Sequence, residues 1–152
     1  MLNEILAYYP VNENLATSGQ PSEAQFSDIK NNGYSIVINL ALPTSDNAIA
    51  NEDAIVTALG MSYFHIPVSW EQPQLSDLLL FFAVMQSIQH KKIWVHCALN
   101  MRVSCFIYLY QKHVLKLSEA QAQFPMTKIW QPTGTWKQLI DEASKHASQN
   151  KL

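Results

Sequence analysis

Two residues suited to nucleophilic and anion-binding chemistry stand close together. Cys97 directly follows the apolar run Ile93-Trp94-Val95-His96, and Arg102, the one arginine among ten basic residues, lies five positions later. A strand-to-helix loop is expected between them. Successive backbone N–H groups in such a loop form an anion nest, and the helix N-terminus adds about half a positive charge. A guanidinium grips two oxygens in one fork, which an ammonium cannot do. A cysteine so placed ionises more readily and acts as a nucleophile. The predicted chemistry is attack on phosphorus through a covalent phosphocysteine. Cys97, Ala98, Leu99, Asn100, Met101 and Arg102 then form the binding loop for a phosphate or sulfate anion, or for a phosphorylated substrate or ligand.

The elements that must position this loop are legible in the chain. Ser18-Gly19-Gln20-Pro21-Ser22 offers a turn, with Ser22 as N-cap and Gln25 completing a capping box. A helix through Phe26, Ile29 and Lys30 should stop at Asn31-Asn32-Gly33, and Tyr34 to Leu40 reads as a buried strand. The N-terminal stretch around Tyr8-Tyr9-Pro10 reads as irregular. The alternation then continues with a helix from Glu52 to Leu59 ending at Gly60, a strand from Ser62 to Val68, an apolar helix from Leu75 to Gln89, and the strand Ile93 to His96. From Val103 onward the pattern is helical, including Ser118 to Gln123 and Thr135 to Ala147. Strands separated by helices imply βαβ units, so the expected fold is one α/β domain over residues 1–152, with a mostly parallel sheet and helices on both faces. Ligands in such sheets sit at the carboxyl ends of the strands. That places together the loop Ser69-Trp70-Glu71, the loop Cys97 to Arg102, and the segment Trp130-Gln131-Pro132.

Composition excludes several partners. Charged residues make up 14% of the 152-residue chain, against about 25% in a typical soluble domain. Net charge is −2, and no basic cluster exceeds Lys91-Lys92, so a footprint for a nucleic-acid backbone is missing. The N-terminus lacks a basic and an apolar signal region, and the longest apolar run, Leu78 to Met85, is too short to span a bilayer. The chain reads as untargeted and cytoplasmic, without membrane or cofactor; its oligomeric state is not encoded in any motif. Its two cysteines form no disulfide framework. Cys105 lies on an apolar helix and reads as packing, with a resolving-thiol role as the alternative. A zinc site from His90, His96, Cys97 and Cys105 lacks the usual paired spacing.

The run His96-Cys97-Ala98-Leu99-Asn100-Met101-Arg102-Val103-Ser104 resembles the His-Cys-x5-Arg-Ser/Thr signature of cysteine-dependent tyrosine and dual-specificity phosphatases. Ser18-Gly19-Gln20-Pro21-Ser22 and His65-Ile66-Pro67-Val68 resemble the bacterial DUF442 branch of that superfamily, over the range 9–139. The resemblance implies a dual-specificity-phosphatase-like fold, Cys97 as nucleophile, Arg102 as phosphate clamp, and an acid on a loop upstream of the cysteine. Glu71 is the expected acid; Asp77 is the alternative, in a first turn where the helix dipole already explains a carboxylate. Gln131 resembles the family's water-positioning residue, and His96 and Ser104 are supporting residues, His96 bonding near Cys97.

The spacing departs from the signature by one residue. Aligned without a gap, Asn100 falls on the usual glycine, Val103 on the arginine and Ser104 on the hydroxyl residue. Asparagine tolerates the left-handed conformation best after glycine. Arg102, however, is turned by about 100° relative to the signature position and meets the phosphate only if the loop reshapes. A phosphate-binding protein without turnover is therefore the alternative function, and a rhodanese-like sulfur carrier a third. Trp70 and Trp130 are open between pocket lining and core.

Overall fold

The computed structural model describes residues 1–150. Five strands form one sheet in the order β1-β2-β5-β3-β4. β1 (Tyr9–Asn12) runs antiparallel to β2 (Leu15–Ser18), while β2, β5 (Ile93–His96), β3 (Ile36–Asn39) and β4 (Ser62–His65) are mutually parallel. The helices are α1 (Glu23–Asn31), α2 (Glu52–Ala58), α3 (Leu75–Ser87), α4 (Met101–His113), α5 (Glu119–Ala122), α6 (Met126–Ile129) and α7 (Thr135–Asn150). The α/β class, the mostly parallel sheet and the helices on both faces match the sequence expectation.

β5 is the central strand. Ile93 pairs with Leu15 on one side and Ile36 on the other, and all four of its residues are buried. Because side chains alternate across a strand, Trp94 joins the core under α1 and α2, with Phe26, Ile29 and Val56, while Ile93, Val95 and then Cys97 join the core under α3, α4 and α7. The strand therefore delivers its two faces to two hydrophobic layers and its carboxyl end to the loop that begins at Cys97.

Local signals account for several boundaries. The Ser22 hydroxyl accepts from the Gln25 N–H at 3.2 Å and the Gln25 side chain accepts from the Ser22 N–H at 2.9 Å, the expected capping box of α1. Gly33, at φ +93°, ends it. The first strands correct the expectation of an irregular N-terminal segment. Residues 9–18 form a hairpin whose second strand, Leu15-Ala16-Thr17-Ser18, is fully buried despite its small and polar side chains. Tertiary partners explain the burial: the Thr17 hydroxyl donates to the Tyr9 carbonyl at 2.9 Å, and the Ser18 hydroxyl accepts from the Trp94 indole N–H at 2.8 Å. The short helix α6 was likewise not anticipated. α3 packs by one face only, burying Leu78, Phe81, Phe82 and Met85 and leaving Leu80 51% exposed. No described helix is long and apolar enough to cross a membrane.

Candidate active site

The carboxyl ends of β2, β3, β4 and β5 lie side by side, so the segments after Ser18, Asn39, His65 and His96 meet at one edge of the sheet. Gly19 lies against the cysteine loop: a Cβ there would lie 2.7 Å from the Ala98 carbonyl oxygen. No other residue leaves room for that contact. The Ala98 oxygen is held outward by the Gln20 N–H at 3.1 Å and the Asn47 side-chain amide at 3.0 Å.

Asn100 turns the loop into α4. It takes the left-handed conformation at φ 67°, and its side-chain N–H groups donate to the Ala7 carbonyl at 2.9 Å and the Thr17 hydroxyl at 3.0 Å. The sequence reading of Asn100 as a glycine substitute is met by this backbone, and the side chain adds a tether to β2. Asn100→Ala should lower unfolding free energy in urea by about 3–4 kcal/mol. This combines a left-handed cost of roughly 1–2 kcal/mol with lost hydrogen bonds of about 1 kcal/mol each. Asn100→Gly should recover the backbone part only.

From Ala98 to Val103 no backbone N–H has an acceptor among the described residues; the next amide, Ser104, bonds the Asn100 carbonyl at 3.0 Å. Three of these groups belong to the first turn of α4, where N–H groups are unpaired by geometry. The rest come from the loop. Together they make a run of six residues, Ala98 to Val103, whose amides have no acceptor among the described residues; this is the amide row.

Arg102 is 7% exposed, and its Nη1 donates to the Val68 carbonyl at 3.0 Å, its one acceptor among the described residues. Most of its guanidinium donors therefore remain unengaged by protein. It lines a cavity of about 330 Å³ together with Cys97, Ala98, Leu99, Met101 and Trp70. Val103, at the position of the signature arginine, is fully buried in the core. Arg102 and Cys97 thus share one cavity despite the shifted spacing.

An adjoining cavity of about 490 Å³ shares Trp70, Ala98, Leu99 and Arg102 and is also lined by Asp46, Asn47 and Glu71. Glu71 is exposed there and Asp77, in the first turn of α3, lines neither cavity. Burial raises the Asp77 carboxyl above its ordinary range. Gln131 is exposed and lines a different cavity, with Tyr108, Trp130 and Pro132. The fold does not bring it to the wall of the Cys97 cavity.

The tryptophans take both open roles. Trp70 faces the Cys97 cavity and packs with tilted rings against Trp130 and Trp136, at centroid distances of 5.3 and 5.6 Å. Trp130 supports the loop from behind, its indole N–H donating to the Met101 carbonyl at 3.0 Å and to the Ser104 hydroxyl at 3.1 Å. The Ser104 hydroxyl itself donates to the Met101 carbonyl at 3.0 Å. Cys105 is a free thiol buried in the core, and burial pushes it far above the ordinary thiol range. Among the described residues no His, Cys, Asp and Glu group is arranged to hold a metal ion.

One polar constellation was missed in the sequence. Glu52, in the first turn of α2, is 6% exposed and accepts from Gln20 Nε2 at 2.6 Å and the Tyr63 hydroxyl at 2.9 Å; its Oε2 lies 2.6 Å from His96 Nε2. Asn39 Nδ2 donates to the Tyr63 hydroxyl at 3.0 Å. Acidic residues in a first helical turn are ordinarily explained by the dipole, which conceals a buried one. The available signal was Gln20 within Ser18-Gly19-Gln20-Pro21-Ser22, a polar residue held at the end of a buried strand.

No family model and no curated protein matches the chain. Among solved structures, a Shewanella putrefaciens CN-32 protein described as "putative phosphatase (DUF442)" is 38% identical, with 95% of each chain covered and a TM-score of 0.84. PTPMT1 in complex with PI(5)P shares the fold at 14% identity, covering 95% of this chain and 99% of that one with a TM-score of 0.79. P. aeruginosa TpbA in complex with pTyr shares it at 14% identity, covering 92% and 82% with a TM-score of 0.65. The amide row, the cysteine ending the central strand and the likeness over nearly the whole of both chains agree: this chain belongs to the DUF442 family, on the fold of the tyrosine and dual-specificity phosphatases.

Proposed function

We propose that the protein is a cysteine-dependent phosphatase that hydrolyses a phosphomonoester. The observation that carries this reading is the single cavity lined by Cys97, Ala98, Leu99, Met101 and Arg102, on a loop whose amides have no acceptor among the described residues. In the proposed cycle the phosphoryl oxygens are held by the amides of Ala98 to Val103 and by the Arg102 guanidinium. The Cys97 thiolate attacks phosphorus, the P–O bond to the leaving group breaks, and Glu71 donates its proton to the departing oxygen. The Glu71 carboxylate then takes a proton from a water molecule as that water attacks phosphorus; the S–P bond breaks with its electrons returning to sulfur, and phosphate is released. The charge developing on the oxygens is stabilised by donors already in place, usually the largest contribution to such catalysis.

The ligands of PTPMT1 and TpbA, PI(5)P and pTyr, support a phosphorylated substrate here. Rapid acid quench of the protein with p-nitrophenyl phosphate, followed by peptide mass spectrometry, should trap a phosphoryl group on Cys97. Turnover with the label on any other residue would overturn the mechanism. A second reading, phosphate binding without turnover, is favoured by Val103 at the signature arginine and by the Arg102 bond to Val68. It requires that inorganic phosphate bind by calorimetry while no p-nitrophenol is released.

A further inference from the structure

Arg102 lines two cavities at once. It shares the Cys97 cavity with Trp70, and with Trp70, Ala98 and Leu99 it also borders the adjoining cavity of about 490 Å³. Buried, with Val68 its one acceptor among the described residues, it offers unengaged donors to an anion at that junction. The leaving group of an ester held there has the second cavity as its neighbour. The two walls differ in character. Around Cys97 they are apolar: Trp70 is 39% and Leu99 54% exposed, and Ala98 and Met101 complete the rim. Beyond them stand Ser45, Asp46, Asn47 and Glu71. Asp46 and Glu71 are exposed, and neither is held in an ion pair among the described residues. Arg102 is the one lysine or arginine on either wall. Lys91 and Lys92 precede β5 and Lys112 lies in the last turn of α4, toward the opposite edge of the sheet. Lys128 lines the Gln131 cavity, and Lys137, next to Trp136 on α7, lines neither wall. A third cavity of about 470 Å³ shares Leu42 with the second and carries Glu52 and Asp53, again without lysine or arginine. Its His65 is bonded to the Ala41 carbonyl at 2.7 Å.

We propose that the site selects a phosphomonoester with one phosphate and a positively charged leaving group, an ammonium or guanidinium beyond a short apolar segment, and that Asp46 recognises that charge. The inference rests on the phosphatase reading above. One guanidinium and the loop amides match one phosphoryl group. A second anionic group further along would meet carboxylates, with no cation on the wall to receive it. Glu71 delivers its proton to the ester oxygen in the proposed cycle, so until the P–O bond breaks Asp46 is the standing negative charge of this wall. Exposed charges attract weakly in water, and the discrimination comes from sign. A single charge pair about 6 Å apart in water changes affinity by about threefold, and exchanging cation for anion turns attraction into repulsion, which makes the difference about tenfold. Amine esters and phosphopeptides with basic flanks are then the good substrates; polyphosphorylated esters and acidic phosphopeptides are the poor ones.

The test compares kcat/KM for O-phosphotyramine and desaminotyrosine phosphate, aryl esters that differ only in an ammonium or a carboxylate at the end of a short arm. A second pair, phosphotyrosyl peptides flanked by lysine or by glutamate, distinguishes a peptide from a small amine as the source of the cation. The full chain should favour the cationic member by about tenfold at low salt, and the two members should converge at about 1 M salt, where the screening length is about 3 Å. Preference within the first pair marks a small amine ester; preference within the peptide pair alone marks a peptide. Asp46→Asn should bring the ratio down to about threefold or less, and Asp46→Lys should abolish or invert it. Because the readout is a ratio within one protein, a general loss of activity or of folded protein cancels. Equal kcat/KM within both pairs, or a preference for the anionic members, would overturn the proposal, as would a wild-type ratio in Asp46→Lys. Failure of the phosphatase reading looks different, since none of the esters is then turned over. The same ratio is then read from Kd by calorimetry with the full chain. A cationic preference there leaves the role of Asp46 standing, and equal Kd values refute it.

Discussion

Cys97→Ser should reduce p-nitrophenyl phosphate hydrolysis by about 10³-fold or more, the scale on which loss of a covalent nucleophile is felt. The exchange is nearly isosteric at a residue 1% exposed, and the amide row and Arg102 are untouched, so folding and phosphate binding should persist. Binding of inorganic phosphate by calorimetry and the far-ultraviolet circular dichroism spectrum check this alongside the rate. Hydrolysis at the wild-type rate in a folded Cys97→Ser protein is the result that rules out a phosphocysteine. Cys105 cannot stand in for it. That thiol is buried on α4 among Phe81, Phe106 and Leu109 in the same core, and burial keeps it protonated.

Arg102→Ala should lower kcat/KM by about 10²–10³-fold, the loss expected when a donor preorganised toward developing charge is removed. Arg102→Lys should recover only part, because an ammonium makes one point contact where the guanidinium spans two oxygens. The Val68 bond gives the alternative role a distinct signature. If Arg102 served only to tether the loop after β4, lysine could restore that single hydrogen bond to a carbonyl, and kcat/KM with it. A wild-type kcat/KM in Arg102→Ala would show that the amides alone hold the phosphate. Steady-state kinetics on the three proteins, with urea denaturation to confirm folding, separate these outcomes.

The shifted spacing shows where linear reasoning reached its limit. A one-residue offset turns a helical side chain by about 100°, and from that alone Arg102 should leave the phosphate site. The structure puts Val103 inward to the core and Arg102 on the cavity wall, because the turn at Asn100 sets the rotation at which α4 begins. The left-handed residue was legible; its consequence for the next two side chains was not. Gln131 shows the converse. Its neighbours Trp130 and Pro132 marked a loop correctly, yet the loop faces a different cavity.

By itself the sequence determined the features that local physics controls: the Ser22 to Gln25 capping box, the helix stop at Gly33, the buried central strand Ile93 to His96, the left-handed turn at Asn100, and the placing of Cys97 at a strand end. Each depends on backbone conformations or side-chain periodicities spanning a few residues. Only the tertiary structure decided the partners of the buried polar groups. The hairpin strand Leu15 to Ser18 is stable because Trp94 and Asn100 satisfy its hydroxyls from 76 and 83 residues away. Glu52 meets His96 across 44 residues, and Arg102 meets Val68 across 34. A buried polar side chain must find a partner or lose the free energy of its hydration, but which partner it finds is set by the order of strands in the sheet.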